Sequence, residues 1–215
     1  MNLTPSEKVK AFFAAYPQKS FSKQQQIVSA GEPLPGVLYI ESGRIAKYDI
    51  TPAGNEAVVN IYKPGAFFPM SWALNGTAND YFFEASIPTT VRVAPPEEAL
   101  QFLKDNPDVT LDLLSRVYRG TDGVLRRMVH LMSGDTKSRL LFELLNATYR
   151  FGEPKDDGSV FIALSENDLA RHAGMARETV NRNIQSIKAD GLVEITRLGI
   201  TVKDVSAIEK LLASR

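Results

Sequence analysis

The sequence predicts an α+β fold in three successive parts, and three observations carry that reading. Between Phe21 and Val93 short β-rich runs alternate with turn residues; after Asn106-Pro107-Asp108 apolar residues recur at helical spacing to about Leu131; and beyond Leu164 two short helical patterns precede an alternating run broken at Leu198-Gly199. Strands at such spacing argue for an antiparallel sandwich or barrel. The seam argues for one long helix, and the last pattern for two helices, a tight turn and a β-hairpin wing. The parts fall at 1–105, 106–133 and 134–215.

Taken in order, Thr4, Pro5 and Glu7 open a helix over 4–15 that places Val9, Phe12 and Phe13 on one face. Strand-like runs follow at Ile27–Val28, Val37–Ile40, Ile45–Ile50, Ala57–Tyr62, Phe67–Phe68, Tyr81–Ala85 and Thr90–Val93. Ala30-Gly31-Glu32, Ser42-Gly43, Pro52-Ala53-Gly54-Asn55, Lys63-Pro64-Gly65 and Asn75-Gly76 punctuate them as turns.

In the long helix Leu114, Val117, Thr121, Val124, Met128 and Leu131 follow steps of three and four residues, a heptad seam suited to a two-stranded coiled coil. Gly120 and Gly123 interrupt it, each costing ~1 kcal/mol relative to alanine. They serve either a close helix approach or a soft point, and both readings stand. Met132-Ser133-Gly134-Asp135 reads as a hinge, with Asp135 capping a helix from Thr136 to about Arg150. A Gly-, Pro- and Asp-rich loop over 151–159 leads to a strand at Val160–Ala163. Asp204 caps a last helix, Val205 to Ala213, whose Ile208, Leu211 and Leu212 pack back on the domain.

The most informative stretch is Leu164 to Ile195. Ser165 with Asp168 three residues on is a capping arrangement, so a helix starts near Glu166. Ala170, Gly174 and Val180 lie at offsets 0, 4 and 10: a small residue at a helix crossing, a glycine for a turn needing positive φ, and an apolar anchor. Ala176, Val180, Ile184 and Ile187 share one face of the second helix, whereas Arg177, Glu178, Asn181, Arg182, Gln185 and Lys188 project from another. Arginine pairs bidentately with guanine O6 and N7, and glutamate accepts from cytosine N4. Set in the N-terminal half of such a helix, these residues point to base reading in the major groove. The segment 171–188 holds Arg171, Arg177, Arg182 and Lys188 against Glu178 alone.

Whole-chain charge is neutral, with 25 basic and 25 acidic residues, so the case for DNA rests on local placement. Apolar residues at 44% and charged residues at 23% exclude a disordered or fibrous chain. No cysteine is present, which excludes disulfides, thiolate metal sites and cysteine-held iron–sulfur clusters. His130 and His172 are the only histidines, so neither haem nor a clustered metal site is supported. The opening MNLTPSEKVKAFF lacks a signal-peptide pattern and no 18-residue apolar run occurs, giving the expectation of a soluble cytoplasmic protein without a membrane partner. No nucleophile–base pair or phosphate loop is legible, so an enzyme is not expected.

Gly31-Glu32, LYIESG at 38–43, Gly54-Asn55-Glu56 and PGAFF at 64–68 resemble the cyclic-nucleotide-binding β-roll. With RETVNR at 177–182, the order of motifs resembles the Crp/Fnr transcription regulators over essentially the whole chain. The resemblance implies a jelly-roll-like antiparallel β-roll, a long dimerisation helix and a winged helix-turn-helix. It implies a homodimer joined along Leu114, Val117, Thr121, Val124, Met128 and Leu131, with RNA polymerase as a further partner. Arg177, Glu178 and Arg182 match the family's base-contacting residues, which favour TGTGA- or TTGA-like half-sites in an inverted repeat. Asn181 departs from the glycine or serine common at its position, leaving the outer base preference open. Thr179, Lys188, Arg171 and Arg197 are candidates for phosphate contacts.

In members that bind cyclic nucleotides, a Gly-Glu pair and a later Arg-Ser pair hold the ribose and phosphate. Counting from PGAFF places Pro69-Met70 and Asp80-Tyr81 there. A carboxylate repels a phosphodiester, proline lacks an N–H, and methionine offers a ribose hydroxyl nothing. Val124 and Leu125 align with polar residues that reach the base in cyclic-AMP-dependent relatives. These departures argue against cyclic AMP and cyclic GMP. Met70, Trp72, Tyr81, Phe83, Val124 and Leu125, with neighbouring rings, either fill the interior or line a site for another small-molecule effector. The expected function is a regulator that is constitutively DNA-competent or gated by such an effector. The alternative is an effector-binding β-roll protein whose winged domain mediates protein interaction.

Overall fold

The computed structural model describes residues 3–213, and within the long helix the side chains of Leu131 and Ser133 lie outside the described set. Two compact units result. One holds the chain to Asp49 together with Val58–Gly120, and the other holds Ile50–Ala57 and the chain from Thr121 onward.

The first unit opens with helix α1 (Pro5–Ala14), where Thr4 and Glu7 form a reciprocal capping box: Thr4 N donates to Glu7 Oε2 at 2.8 Å and Glu7 N to Thr4 Oγ1 at 3.3 Å. Phe13 is buried and stacks on Tyr39 at 5.0 Å, while Phe12 stacks on Phe102 at 4.3 Å. Strands β1 (Gln18–Phe21), β2 (Gln26–Val28), β3 (Val37–Ile50), β4 (Glu56–Tyr62), β5 (Phe67–Phe68) and β6 (Phe82–Ala94) form one sheet. In it β6 pairs antiparallel with β1, β2 and β3, and β5 with β3.

Three features depart from the sequence reading. Residues 18–20 are polar and exposed, without alternation, yet with Phe21 they form a strand because β6 supplies partners from Gln18↔Arg92 to Phe21↔Thr89. Ser42-Gly43 is not a turn but a bulge inside the continuous β3, where the register to β6 shifts. Gly43 sits at φ +93 with its would-be Cβ 2.5 Å from Thr89 Cα, and Arg44 N donates to Thr89 Oγ1 at 3.0 Å. Only glycine fits so close a backbone crossing at that φ. Finally, helix α3 (Pro96–Asp105) follows α2 (Met70–Asn75) and β6, burying Ala99 and Leu103 one turn apart.

Helix α4 (Pro107–Ser133) spans the division between the units at Gly120. A Cβ added at Gly120 or Gly123 would meet nothing within 4 Å, so no close approach inside this chain requires either glycine. Alanine at each is therefore expected to raise helix stability by up to ~1 kcal/mol. A raised melting temperature would confirm it; a lowered one would mean that the glycine backbone is needed.

The second unit contains α5 (Thr136–Phe151), β7 (Glu153–Pro154), β8 (Val160–Ile162), α6 (Glu166–Ala173), α7 (Arg177–Ala189), β9 (Val193–Ile195), β10 (Ile200–Val202) and α8 (Val205–Ala213). Its sheet runs β7-β8-β10-β9. Asp135 caps α5 by accepting from Ser138 N at 2.7 Å. Leu140, Leu141, Leu144, Leu169, Val180, Ile184, Ile187 and Ile208 are fully buried. Each such side chain contributes roughly 1.5–3 kcal/mol of apolar burial. On α8 Ile208 alone is fully buried; Leu211 remains 37% exposed, because the helix presents a single residue per turn to the core.

Candidate nucleic-acid interface

Local chemistry sets the two helices that carry the site. The Ser165 hydroxyl accepts from Asp168 N at 3.1 Å while the Asp168 carboxylate accepts from Ser165 N at 3.0 Å, which fixes the first turn of α6. Gly174 ends α6 in the left-handed region at φ 59, ψ 37, and its N–H bonds back to the carbonyls of Ala170 and Arg171. The chain then turns through Ala176 at φ −62, ψ 142 into α7. Val180, Ile184 and Ile187 sink into the core, which leaves the opposite face of α7 outward.

That face carries Arg177, Glu178, Asn181, Arg182, Gln185 and Lys188, all exposed, with Thr179 half-buried beside them. Among the described residues, Arg177, Glu178, Arg182 and Lys188 have no ion pair or side-chain hydrogen bond. Asn181 is already engaged, its Nδ2 donating to Glu166 Oε2 at 3.0 Å. Arg171 is half-buried in an ion pair with Glu56, from the 50–57 segment that belongs to the same unit. The wing is a tight hairpin: Thr196 N donates to Gly199 O at 2.9 Å, and Arg197 and Leu198 stand exposed at its tip. The exposed cations of α7 and the wing are side chains suited to polyanion contacts, with the bidentate donors of Arg177 and Arg182 on the helix.

A half-buried polar cluster braces this unit from behind. Arg127 of α4 donates through Nε to Glu143 Oε1 at 2.5 Å and through its terminal nitrogen to the carbonyl of His172. Burial raises the Glu143 carboxyl above the ordinary range although Arg127 opposes it, and burial likewise lowers Arg150. At the C-terminal end of α7, Lys137 pairs with Asp190 at 2.6 Å.

Burial also lowers His172 to about 4, with Asp168 opposing and Arg127, Arg171 and Arg150 adding to the depression. The folded ring thus takes up its proton only below the pH at which the unfolded ring does. Its contribution to stability is complete above about pH 6.5 and is lost as pH falls from there toward 4. At about 1.36 kcal/mol per unit the ceiling is ~3 kcal/mol, reduced by the partial exposure of the ring. Urea titrations at pH 7.5 and 5 should show His172→Gln losing less stability than the parent on acidification. An unchanged difference between the two pH values would refute the assignment.

Of the residues suggested for an effector site, Met70, Trp72, Tyr81 and Phe83 lie in the first unit, Met70 in one apolar cluster and Phe83, with Tyr81 packed against it, in another. Met70 packs with Val9, Phe13, Val37, Tyr39 and Phe67, whereas Phe83 packs with Val28, Leu38, Ile40, Ile45 and Phe68. Tyr62, Phe68 and Phe83 form a stack with centroids 4.0 and 5.4 Å apart. Trp72 is half-buried on α2. Tyr81 lies under the Lys47 ammonium at 3.6 Å, and Tyr81 N donates to Asn79 Oδ1 at 3.3 Å. Burial lowers the Lys47 pKa, with Asp80 opposing. On α4, Leu114, Val117, Thr121, Val124, Leu125 and Met128 are all exposed in the single chain, while the Leu131 side chain lies outside the described residues. The sequence reading missed a flank to this seam: Leu111, Tyr118, Leu125 and Met132 recur every seven residues and are also exposed. Their seven-residue spacing was the signal that could have found them.

A β-sheet unit followed by a long helix and a winged helix-turn-helix defines a class of two-part DNA-binding regulators. Residues 18–106 match the cyclic nucleotide-binding domain and residues 138–211 the Crp-like helix-turn-helix domain. The global nitrogen regulator of Synechocystis sp. is 28% identical over 199 residues, covering 89% of this chain and 87% of that one. The transcriptional regulator SdrP of Thermus thermophilus is 28% identical over 200 residues, covering 91% and 94%. Among solved structures, a CRP/FNR family transcriptional regulator from Thermus thermophilus aligns with TM-score 0.72 at 22% identity, covering 93% of this chain and 100% of that one. A mutant of CooA from Carboxydothermus hydrogenoformans aligns with TM-score 0.80 at 18% identity, covering 99% and 97%. With both domains matched in this order, the chain belongs to the Crp/Fnr family of transcription regulators and is not an enzyme. Among the described residues no helix is long and apolar enough to cross a membrane.

Proposed function

We propose that the chain acts as a homodimer that reads an inverted repeat in double-stranded DNA, independently of cyclic AMP or cyclic GMP. The observation that carries the reading is the outward face of α7, where Arg177, Glu178 and Arg182 stand exposed while Val180, Ile184 and Ile187 anchor the helix behind them. Two such helices, one per subunit, enter successive major grooves about 34 Å apart. Arg177, Glu178 and Arg182 contact base edges of TGTGA- or TTGA-like half-sites; Thr179, Lys188 and Arg197 contact phosphates, with Arg171 available to do so when its Glu56 pair opens.

Dimerisation is supported by the apolar stripe on α4, where Leu114 is 46% exposed, Val117 53%, Val124 56% and Met128 49%. A contiguous apolar stripe with heptad period is costly to leave in water and is covered by a second copy. Independence from cyclic nucleotides is supported by the residues at the nucleotide-holding positions. Met70 is committed to the core, Pro69 lacks an N–H, and Asp80 is an exposed acid whose charge acts on Lys47. None of these three residues donates a hydrogen bond to a phosphodiester, and the Asp80 carboxylate opposes one. DNA competence then rests on the apo dimer or on another small molecule acting at the β-roll.

The test is fluorescence anisotropy of the purified protein on a TGTGA-N6-TCACA duplex and on a scrambled one across a salt series. Specific affinity of about 10⁻⁸ M without additive, unchanged by cyclic AMP or cyclic GMP, is the expected result. A gain of specific affinity on adding either nucleotide would overturn the independence, and absence of binding at every salt concentration would overturn DNA reading.

A further inference from the structure

On the outward face of α7 Asn181 differs from its neighbours, because its side chain is already held. Its Nδ2 donates to Glu166 Oε2 at 3.0 Å, a contact between residues fifteen apart. We propose that Glu166 is a positioning residue for base reading, and that Asn181 thereby selects adenine or cytosine over guanine or thymine at one half-site position. The proposal rests on the DNA-reading function of α7 given above.

A free asparagine presents either a donor or an acceptor by rotating its amide, and so discriminates weakly. A carboxylate accepts and does not donate, so the nitrogen of Asn181 faces Glu166 with one of its two hydrogens, which fixes the amide and leaves Oδ1 turned away as an acceptor. An outward carbonyl oxygen needs a donor. In the major groove the donors are the N6 amine of adenine and the N4 amine of cytosine, whereas guanine and thymine show oxygen at the matching place.

The contact is held by rigid parts on both sides. Glu166 is the first residue of α6, in the turn fixed by the Ser165–Asp168 capping box. Leu169 and Ala170 on α6 and Val180 and Ile184 on α7 are buried, which sets the crossing of the two helices. The separation of the backbones at 166 and 181 is therefore set by the core beneath an exposed hydrogen bond. Glu166 also escapes detection as a DNA contact, since its sign opposes phosphate.

The experiment takes duplexes recovered by selection from random DNA, varies each half-site position through all four bases, and measures competition binding of the full chain. The variants are Asn181→Ala, Glu166→Gln and Glu166→Asp. Gln retains the length of the side chain but donates as well as accepts; Asp retains the charge but is one methylene short of the contact. For the parent, one position should favour adenine or cytosine by about five-fold, the worth of one well-made hydrogen bond. Asn181→Ala should bring that ratio to about one. Glu166→Gln and Glu166→Asp should both lower it, while the positions read by Arg177 and Arg182 keep their ratios. A role for Glu166 through charge alone would instead change affinity for every duplex by one factor under Gln, change nothing under Asp, and leave all ratios intact. That pattern overturns the proposal. So does a selective parent protein in which Asn181→Ala alters no ratio. A parent that binds every duplex equally overturns the DNA-reading function and this inference with it.

Discussion

Arg182→Ala is expected to lower the ratio of specific to random DNA affinity by about 5- to 150-fold, the equivalent of ~1–3 kcal/mol for a lost bidentate contact. Lys188→Ala should weaken both duplexes by a similar factor and reduce the slope of log affinity against log salt by ~0.9. Both side chains are exposed on α7 and, among the described residues, lack a side-chain partner. Their removal should leave folding stability within about 0.5 kcal/mol, so a change in binding is not a change in folded fraction. The pair of variants separates base reading from phosphate anchoring by two readouts. Equal losses on both duplexes for both variants would mean that this division of roles is wrong.

Val117→Glu combined with Leu114→Glu should convert the proposed dimer to a monomer and weaken binding to the full inverted repeat by about 10²- to 10⁴-fold. The two positions lie a step of three apart on the seam of α4, and a second copy would desolvate both new carboxylates without a partner. The single chain loses little, since both sites are exposed in it. The loss at DNA has a separate cause: one recognition helix no longer holds the other at high effective concentration over the second half-site. Sedimentation or light scattering reads the first effect and anisotropy the second. Arg126→Glu, exposed on the same helix but off the seam, is the control for added charge. A variant that remains a dimer would move the interface elsewhere, and a monomer with undiminished affinity would remove the need for a dimer.

Much of the framework that carries the candidate site was legible because its signals are local. A capping box acts over three residues, a left-handed glycine acts at one, and a heptad seam is a spacing along a single helix. Ser165 with Asp168, Gly174, and the series from Leu114 to Met128 therefore announced α6, the turn and α4 directly. The wing followed from alternation around Leu198-Gly199 for the same reason.

Tertiary structure decided what joins distant segments. Residues 18–21 carry no strand pattern of their own, and pairing with β6 makes them a strand. Gly43 reads as a turn until Thr89 crosses it, when it becomes a bulge. Arg171 looks like a free phosphate contact until Glu56 meets it, and Asn181 looks like a free base contact until Glu166 meets it. The charge on Arg127 gives no hint that its guanidinium joins Glu143 to the backbone of α6. Propensity and periodicity act within a turn or two of chain, so the residues themselves determined which helices form and which faces are apolar. Which polar side chain meets which depends on how buried cores bring separate elements together, and that decided the partners on the outward face of α7.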